Sequence, residues 1–189
     1  AGPEPREHVL APVDASRVLD AMRGDEGEVD PVTRLPQEAR DELRLLRRVG
    51  AIDPTSLDEY RAHGGYEVLR RAFALGQEGV IREVLDSKLV GRGGAAFPTG
   101  RKWEAVARQP VLPHYLICNA DEAEPGTFKD RVILEGDPFS LIEAMTIAAY
   151  ATNCEQGFVY LRGEYPQAHA VLEQALANAR ARGFLGSDI

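Results

Sequence analysis

In the first half of the chain, apolar residues recur at steps of three and four among charged ones, a spacing that lines them along one side of a helix. Over residues 37–49 the apolar positions Leu43, Leu46 and Val49 stand among Arg and Glu, which predicts an amphipathic helix ended by Gly50. Thr55 or Ser56 can cap a second helix that starts near Leu57, and residues 60–73 keep a helical pattern except at Gly64-Gly65, which should break or kink it. Residues 78–89 predict a third, with Val80, Ile81, Val84, Leu85 and Leu89 on one side.

The pattern changes after residue 113. His114 to Cys118 is a short apolar run that reads as a buried strand, and it feeds the acidic loop 119–126. Asp137-Pro138 reads as an N-cap with proline at the first helical position, opening a helix through Ala151 that is apolar nearly all round and therefore buried. Residues 157–161 predict the next strand. Pro166 then starts a helix that runs to Arg182, with Gly183 just past its end. Strand, loop, helix, strand, loop, helix argues for an α/β fold with a parallel sheet and helices packed on it, whose ligands bind beyond the C-terminal strand ends.

Residues 1 to 36 hold five of the twelve prolines and little periodicity, which predicts an extended arm, with a short helix at Val18, Leu19 and Met22. The expected organisation is an arm with its amphipathic helix over 1–50, a helical region over 51–90 and an α/β binding domain over 91–189. With 30 acidic against 22 basic residues the net charge is −8, so a grip on nucleic-acid phosphates would work against repulsion. The most apolar window, 141–151, contains Glu143 and is far shorter than the roughly 20 residues of a membrane span. No secretion signal is legible, which makes a cytoplasmic location the default. Cys118 and Cys154 match neither a disulfide scaffold nor a CxxC metal pair, and both chain ends read as cut rather than finished.

Two segments carry candidate chemistry. Residues 91–102, GRGGAAFPTGRK, hold four glycines and three basic residues without an acid. Glycine lets backbone N–H groups approach a ligand, and Arg92, Arg101 and Lys102 make the surroundings positive, so bound phosphate is one reading and a mobile surface loop the other. Gly91, Gly93 and Ala96 satisfy G-x-G-x-x-A, but a helix rather than a strand precedes them, and the Walker spacing fails. Phe97 either offers a ring to a planar base or pins the loop to the core. The second segment is Asn119, Asp121, Glu122 and Glu124. Its carboxylates suit hydroxyl-rich ligands; a magnesium or calcium site and a solvated acidic turn stay open beside that reading. No motif for hydrolytic catalysis occurs.

GRGGAAFPTGRKW at 91–103, NADEAEPGTFKDR at 119–131 and YLRGEY at 160–165, in this order and spacing, closely resemble the FMN-binding, NADH-oxidising flavoprotein subunit of bacterial respiratory complex I. The same module occurs in NAD-reducing hydrogenases and NAD-linked formate dehydrogenases. Similarity runs from about Leu57, including HGGY at 63–66, to the C-terminus.

The resemblance implies a Rossmann-like three-layer fold with an incomplete parallel sheet, behind a helical N-terminal region. It implies that Gly91, Arg92, Gly93 and Gly94 belong to the loop around FMN, that Lys102 reaches the FMN, and that Asn119, Asp121 and Glu122 contact its ribityl and ring region. Phe97 would stack on the NADH adenine and Glu124 would lie against the nucleotide. The implied chemistry is that of an NADH dehydrogenase: hydride transfer from NADH to FMN, then one-electron steps to an iron–sulfur cluster whose ligands belong to a later part of the family's chain. No side chain need act as acid, base or nucleophile.

The implied partners are NADH and the other subunits of a multi-subunit complex, at the cytoplasmic face of a membrane where that complex is respiratory. Ala96 departs from the family's GRGGAGFPTG, and a positive φ there would cost about 1 kcal/mol or more. Ala105 replaces an aromatic that some relatives offer to the adenine. The alternative reading is a non-catalytic binding or assembly module that keeps half of the flavoprotein fold.

Overall fold

The computed structural model describes Ser16 and residues 42–186. The first helix, α1, spans Leu57–Ala62, with the Ser56 hydroxyl accepting from the Glu59 N–H as its N-cap. Gly64 at φ 82° and Tyr66 at φ 63° interrupt the chain where the glycine pair predicts a break. Helix α2, Glu67–Asp86, then runs on across a kink at Gly76 (φ 72°, ψ 166°), so the two helical stretches expected around this point are joined end to end.

The amphipathic helix expected over 37–49 does not form in its described part: residues 42–50 are turns and bends. Tertiary contacts decide the matter. Val49 is buried against Gly136, where an added Cβ would come within 2.9 Å of it, and the Arg48 guanidinium reaches Asp137 at 2.8 Å. Residues 37–41 and the short helix expected at 18–22 lie outside the described residues.

Helix α3, Thr99–Ala107, follows the glycine loop and packs on α2 through Gly100, whose missing Cβ leaves room for the Leu85 backbone. Strand β1, His114–Ala120, pairs in parallel with β2, Cys154–Leu161, and Ala120 stands opposite Leu161 at their C-terminal ends. Between the strands come α4, Lys129–Gly136, which the sequence pattern does not suggest, and α5, Pro138–Thr152. Helix α6, Pro166–Ala181, closes the described chain, with Gly183 at φ 72° behind it.

Asp137 does not cap α5, although its place before Pro138 predicts that it should. Its carboxylate turns to Arg48, and the hydroxyl of Ser140 donates to the Asp137 carbonyl instead. Burial pushes the Asp137 carboxyl up, with Arg48 acting against it.

Alternation along the strands sorts the sheet into two faces. Cys118, Ala120, Val159 and Leu161 face inward onto Leu134 of α4, Leu141 of α5, and Ala168 and Leu172 of α6. Tyr115, Ile117, Phe158 and Tyr160 are exposed on the other face, so among the described residues helices cover one side of the sheet. A second cluster joins Tyr60, Tyr66 and Leu69 to Phe139, Ile142 and Ala175, and a third joins Val80 and Ile81 to Ala151 and Trp103. Burying a side chain the size of Phe139 is worth about 2–3 kcal/mol. Helix α5 takes part in all three clusters, as its apolar circumference requires. The two cysteines are free and half-buried, and burial pushes the Cys118 thiol up, so it packs rather than reacts.

Candidate functional site

The glycine loop is a closed structure. Val90 bridges Pro98, the Gly91 N–H donates to the Phe97 carbonyl at 2.9 Å, and the Thr99 N–H donates to the Leu89 carbonyl at 2.9 Å. These bonds tie the base of the loop and leave Arg92 to Ala96 as its exposed tip. Around Gly93 and Gly94 an added Cβ would meet nothing within 4 Å, and Gly94 has φ 90°. Open space beside a glycine backbone is what a close-lying ligand needs, and Arg92, Arg101 and Lys102 all expose their side chains nearby. Helix α3 begins directly after the loop without a side-chain cap, so its dipole adds to the positive field. Phe97 is 52% exposed and so is not part of the core.

Ala96 adopts φ 49°, the left-handed conformation that the family's glycine would accept without strain. Replacing Ala96 with glycine is therefore expected to stabilise the protein, by less than about 1 kcal/mol once the extra backbone entropy of glycine is subtracted. Chemical denaturation of the two forms side by side checks the sign.

The acidic loop leaves β1 at its C-terminal end. Asn119 and Asp121 are exposed, and the Asn119 side-chain oxygen accepts from the Asp121 N–H at 3.0 Å, an Asx-type turn. Glu124 is exposed and its carbonyl accepts from the Thr127 N–H. Glu122 behaves differently: it is 4% exposed and points inward. One carboxylate oxygen accepts from the Asp130 N–H at 2.8 Å, and the other from the Arg131 N–H at 3.2 Å and the Tyr165 hydroxyl at 3.0 Å. These are the second and third amides of α4, so Glu122 performs the capping that Phe128, at the N-cap position, cannot.

Burial pushes the Glu122 carboxyl up, but the Asp130 and Arg131 amides, Tyr165 and Lys129 outweigh it and hold it below the usual carboxylate range. It stays charged at neutral pH.

The loop after β2 meets the acidic loop at the same sheet edge. The Arg162 N–H donates to the Ala120 carbonyl at 3.3 Å, and its guanidinium donates to the Glu122 carbonyl at 2.5 Å and pairs with Glu164. The structure thus brings Asn119, Asp121, Glu122 and Glu124 together with Arg162 and Tyr165. Among the described residues no hydrogen bond or ion pair joins this group to the glycine loop, and no three His, Cys, Asp or Glu side chains form a metal-binding cluster. The part played by the α4 amides has no signal in the sequence, because backbone donors carry no residue signature. A groove of about 470 Å³ lined by Arg61, Tyr66, Phe73 and Phe184 lies away from both loops.

A family model described as the Nuo51 FMN-binding domain matches residues 84–189, more than half of the chain and both of these loops. The chain belongs to this family. It is 48% identical over 145 residues to the F subunit of the NADH-quinone oxidoreductase of Aquifex aeolicus, covering 77% of this chain and 34% of that protein. It is 45% identical over 138 residues to the Escherichia coli protein of the same name, covering 72% and 31%. NADP-reducing hydrogenase subunit HndC of Solidesulfovibrio fructosivorans is 45% identical over 151 residues, covering 79% and 31%.

Among solved structures, an NAD⁺-reducing [NiFe]-hydrogenase in the air-oxidised state superposes with a TM-score of 0.56 at 31% identity, over 89% of this chain and 30% of that one. The chain spans about a third of the length of these curated relatives. FMN is the cofactor of this family, and the relatives are oxidoreductase subunits of multi-subunit complexes. The residues present fit that cofactor: an open glycine backbone beside exposed cations suits its phosphate, and exposed Asn119 and Asp121 suit its hydroxyls.

Proposed function

We propose that this chain forms the flavin-facing part of an NADH-oxidising flavoprotein, with residues 91–189 as its binding domain, 51–90 as a helical support and 1–50 as an arm whose last residues, Arg48 and Val49, dock on Asp137 and Gly136. The observation that carries the reading is the tied glycine loop, whose tip is open at Gly93 and Gly94 and flanked by Arg92 and Lys102. In this reading Gly91, Arg92, Gly93 and Gly94 surround the flavin phosphate, Lys102 balances its charge, and Asn119 and Asp121 meet its hydroxyls. Phe97 stacks on the adenine of NADH, and Glu124 faces the nucleotide.

FMN, when bound, supplies the acceptor for the NADH hydride and the relay to an iron–sulfur cluster beyond the residues of this chain. The protein's work is to hold, orient and balance charge, so no side chain of this chain is assigned as acid, base or nucleophile. Partner subunits and further polypeptide complete the pocket and carry electrons onward, at the cytoplasmic face of the membrane where the complex is respiratory. No helix among the described residues is long and apolar enough to cross a membrane.

Two substitutions test the site in the assembled enzyme. Lys102→Ala is expected to raise the FMN dissociation constant by about tenfold, the loss of one charge-assisted contact. Glu124→Gln is expected to change the KM for NADH while leaving flavin content intact. Native flavin retention and native NADH kinetics in both variants would refute the assignment of this pocket.

A further inference from the structure

We propose that Tyr165 and Glu122, joined by a 3.0 Å hydrogen bond beneath the acidic loop, are positioning residues that set where Asp121 and Glu124 stand toward the flavin and the nucleotide. This rests on the site reading above and revises one part of it: Glu122 acts through its neighbours and does not touch the cofactor. The Glu122 side chain is 1% exposed, and both carboxylate oxygens are taken up by protein donors. A group so enclosed has little left to offer a ligand.

What it does is fix a point in the chain. Asp121 is its direct neighbour and Glu124 lies two residues on, so at about 3.8 Å per peptide both stand within about 8 Å of this anchored point along the chain. Beyond Glu122, the acidic loop has two short local bonds, from the Asp121 N–H to Asn119 and from the Thr127 N–H to Glu124, and the Arg162 N–H on the Ala120 carbonyl at its start. Glu122 ties the loop to elements outside it: the amides of α4 on one side and, through Tyr165, the turn after β2 on the other.

Tyr165 is the informative member of the pair. The Arg131 guanidinium lies 5.5 Å from its ring centroid, and the residue stands at the N-cap of α6. Tyr165→Phe keeps the ring, the cation contact and the backbone, and deletes only the hydroxyl that reaches Glu122. Glu122 then keeps its two amide bonds and the Arg162 contact to its carbonyl, but its carboxylate loses its own tie across the sheet edge.

The experiment uses the assembled NADH-oxidising enzyme with Tyr165→Phe, Glu122→Gln, the two together, and Glu124→Gln as a reference. Tyr165→Phe is expected to retain its flavin and thermal midpoint while the KM for NADH shifts by about twofold or more, as befits one hydrogen bond to a charged group. Because the hydroxyl acts through Glu122, adding Tyr165→Phe to Glu122→Gln should change KM by less than about twofold further. A KM unchanged within twofold in Tyr165→Phe, or fully additive effects in the double variant, would overturn the proposal. If Glu124→Gln shifts KM and Tyr165→Phe does not, the positioning role fails and the site reading stands. If neither shifts it, the site reading fails as well.

Discussion

Replacing Glu143 with alanine is expected to lower folding stability by about 3 kcal/mol or more, because it strips the acceptors from several buried donors at once. Glu143 lies in the middle of α5 and is buried. One of its oxygens accepts from the Tyr60 hydroxyl at 2.5 Å and the Tyr66 N–H at 2.8 Å, and the other accepts from the Leu69 N–H at 3.0 Å. The last two are amides at the start of α2, where Tyr66 at the N-cap supplies no side-chain bond. A carboxylate from α5 therefore caps α2 from outside and welds the helical N-terminal region to the α/β part.

The same bond, after burial itself, helps to hold the Tyr60 phenol far above its ordinary range. Glu143→Gln, which keeps one carbonyl oxygen, should lose about half as much. In a domain of this size the alanine variant should melt about 6–12 °C lower. Thermal unfolding followed by circular dichroism decides it, and a loss under about 1 kcal/mol would show that these bonds hold nothing together.

The second large effect concerns ligand rather than fold. Gly93 has an ordinary φ and nothing within 4 Å of an added Cβ, so valine there should be accepted by the free protein with little strain. If the flavin lies against this backbone, the valine side chain occupies the space it needs. FMN affinity should then fall by at least about tenfold, which corresponds to about 1.4 kcal/mol. Gly100 is the opposite case. A Cβ there would lie 2.7 Å from the Leu85 backbone nitrogen, so that glycine serves packing between α2 and α3 and its loss would be felt in stability. One short segment thus contains a glycine open to a ligand and a glycine closed by a helix.

Both strands, the break at Gly64, and the helices beginning at Pro138 and Pro166 are legible in the sequence, because each rests on local chemistry: apolar runs, glycine at a positive φ, and proline at a helix start. The helix expected over 37–49 is absent in its described part, residues 42–49, because tertiary anchoring of Arg48 and Val49 overrides a helical period. Helix α4 escapes a reading of the sequence because its N-terminus is capped by Glu122, seven residues before its first residue, and no local capping signal precedes it.

The candidate site follows the same division. The residues of both loops can be named from glycine, charge and motif. Sequence alone does not show that Glu122 turns inward while Asp121 and Glu124 stay exposed, because that depends on the amides of α4 and on Tyr165, 43 residues away. The strain at Ala96, by contrast, is legible from the family pattern and takes the form of φ 49°.

The most direct test of the central claim, that this glycine loop is where FMN lies, is the flavin content of the purified enzyme with and without Gly93→Val, with the thermal midpoint measured in parallel. The variant is expected to fold and assemble but to lose most of its FMN on purification. A variant that keeps its full flavin with an unchanged dissociation constant would contradict it.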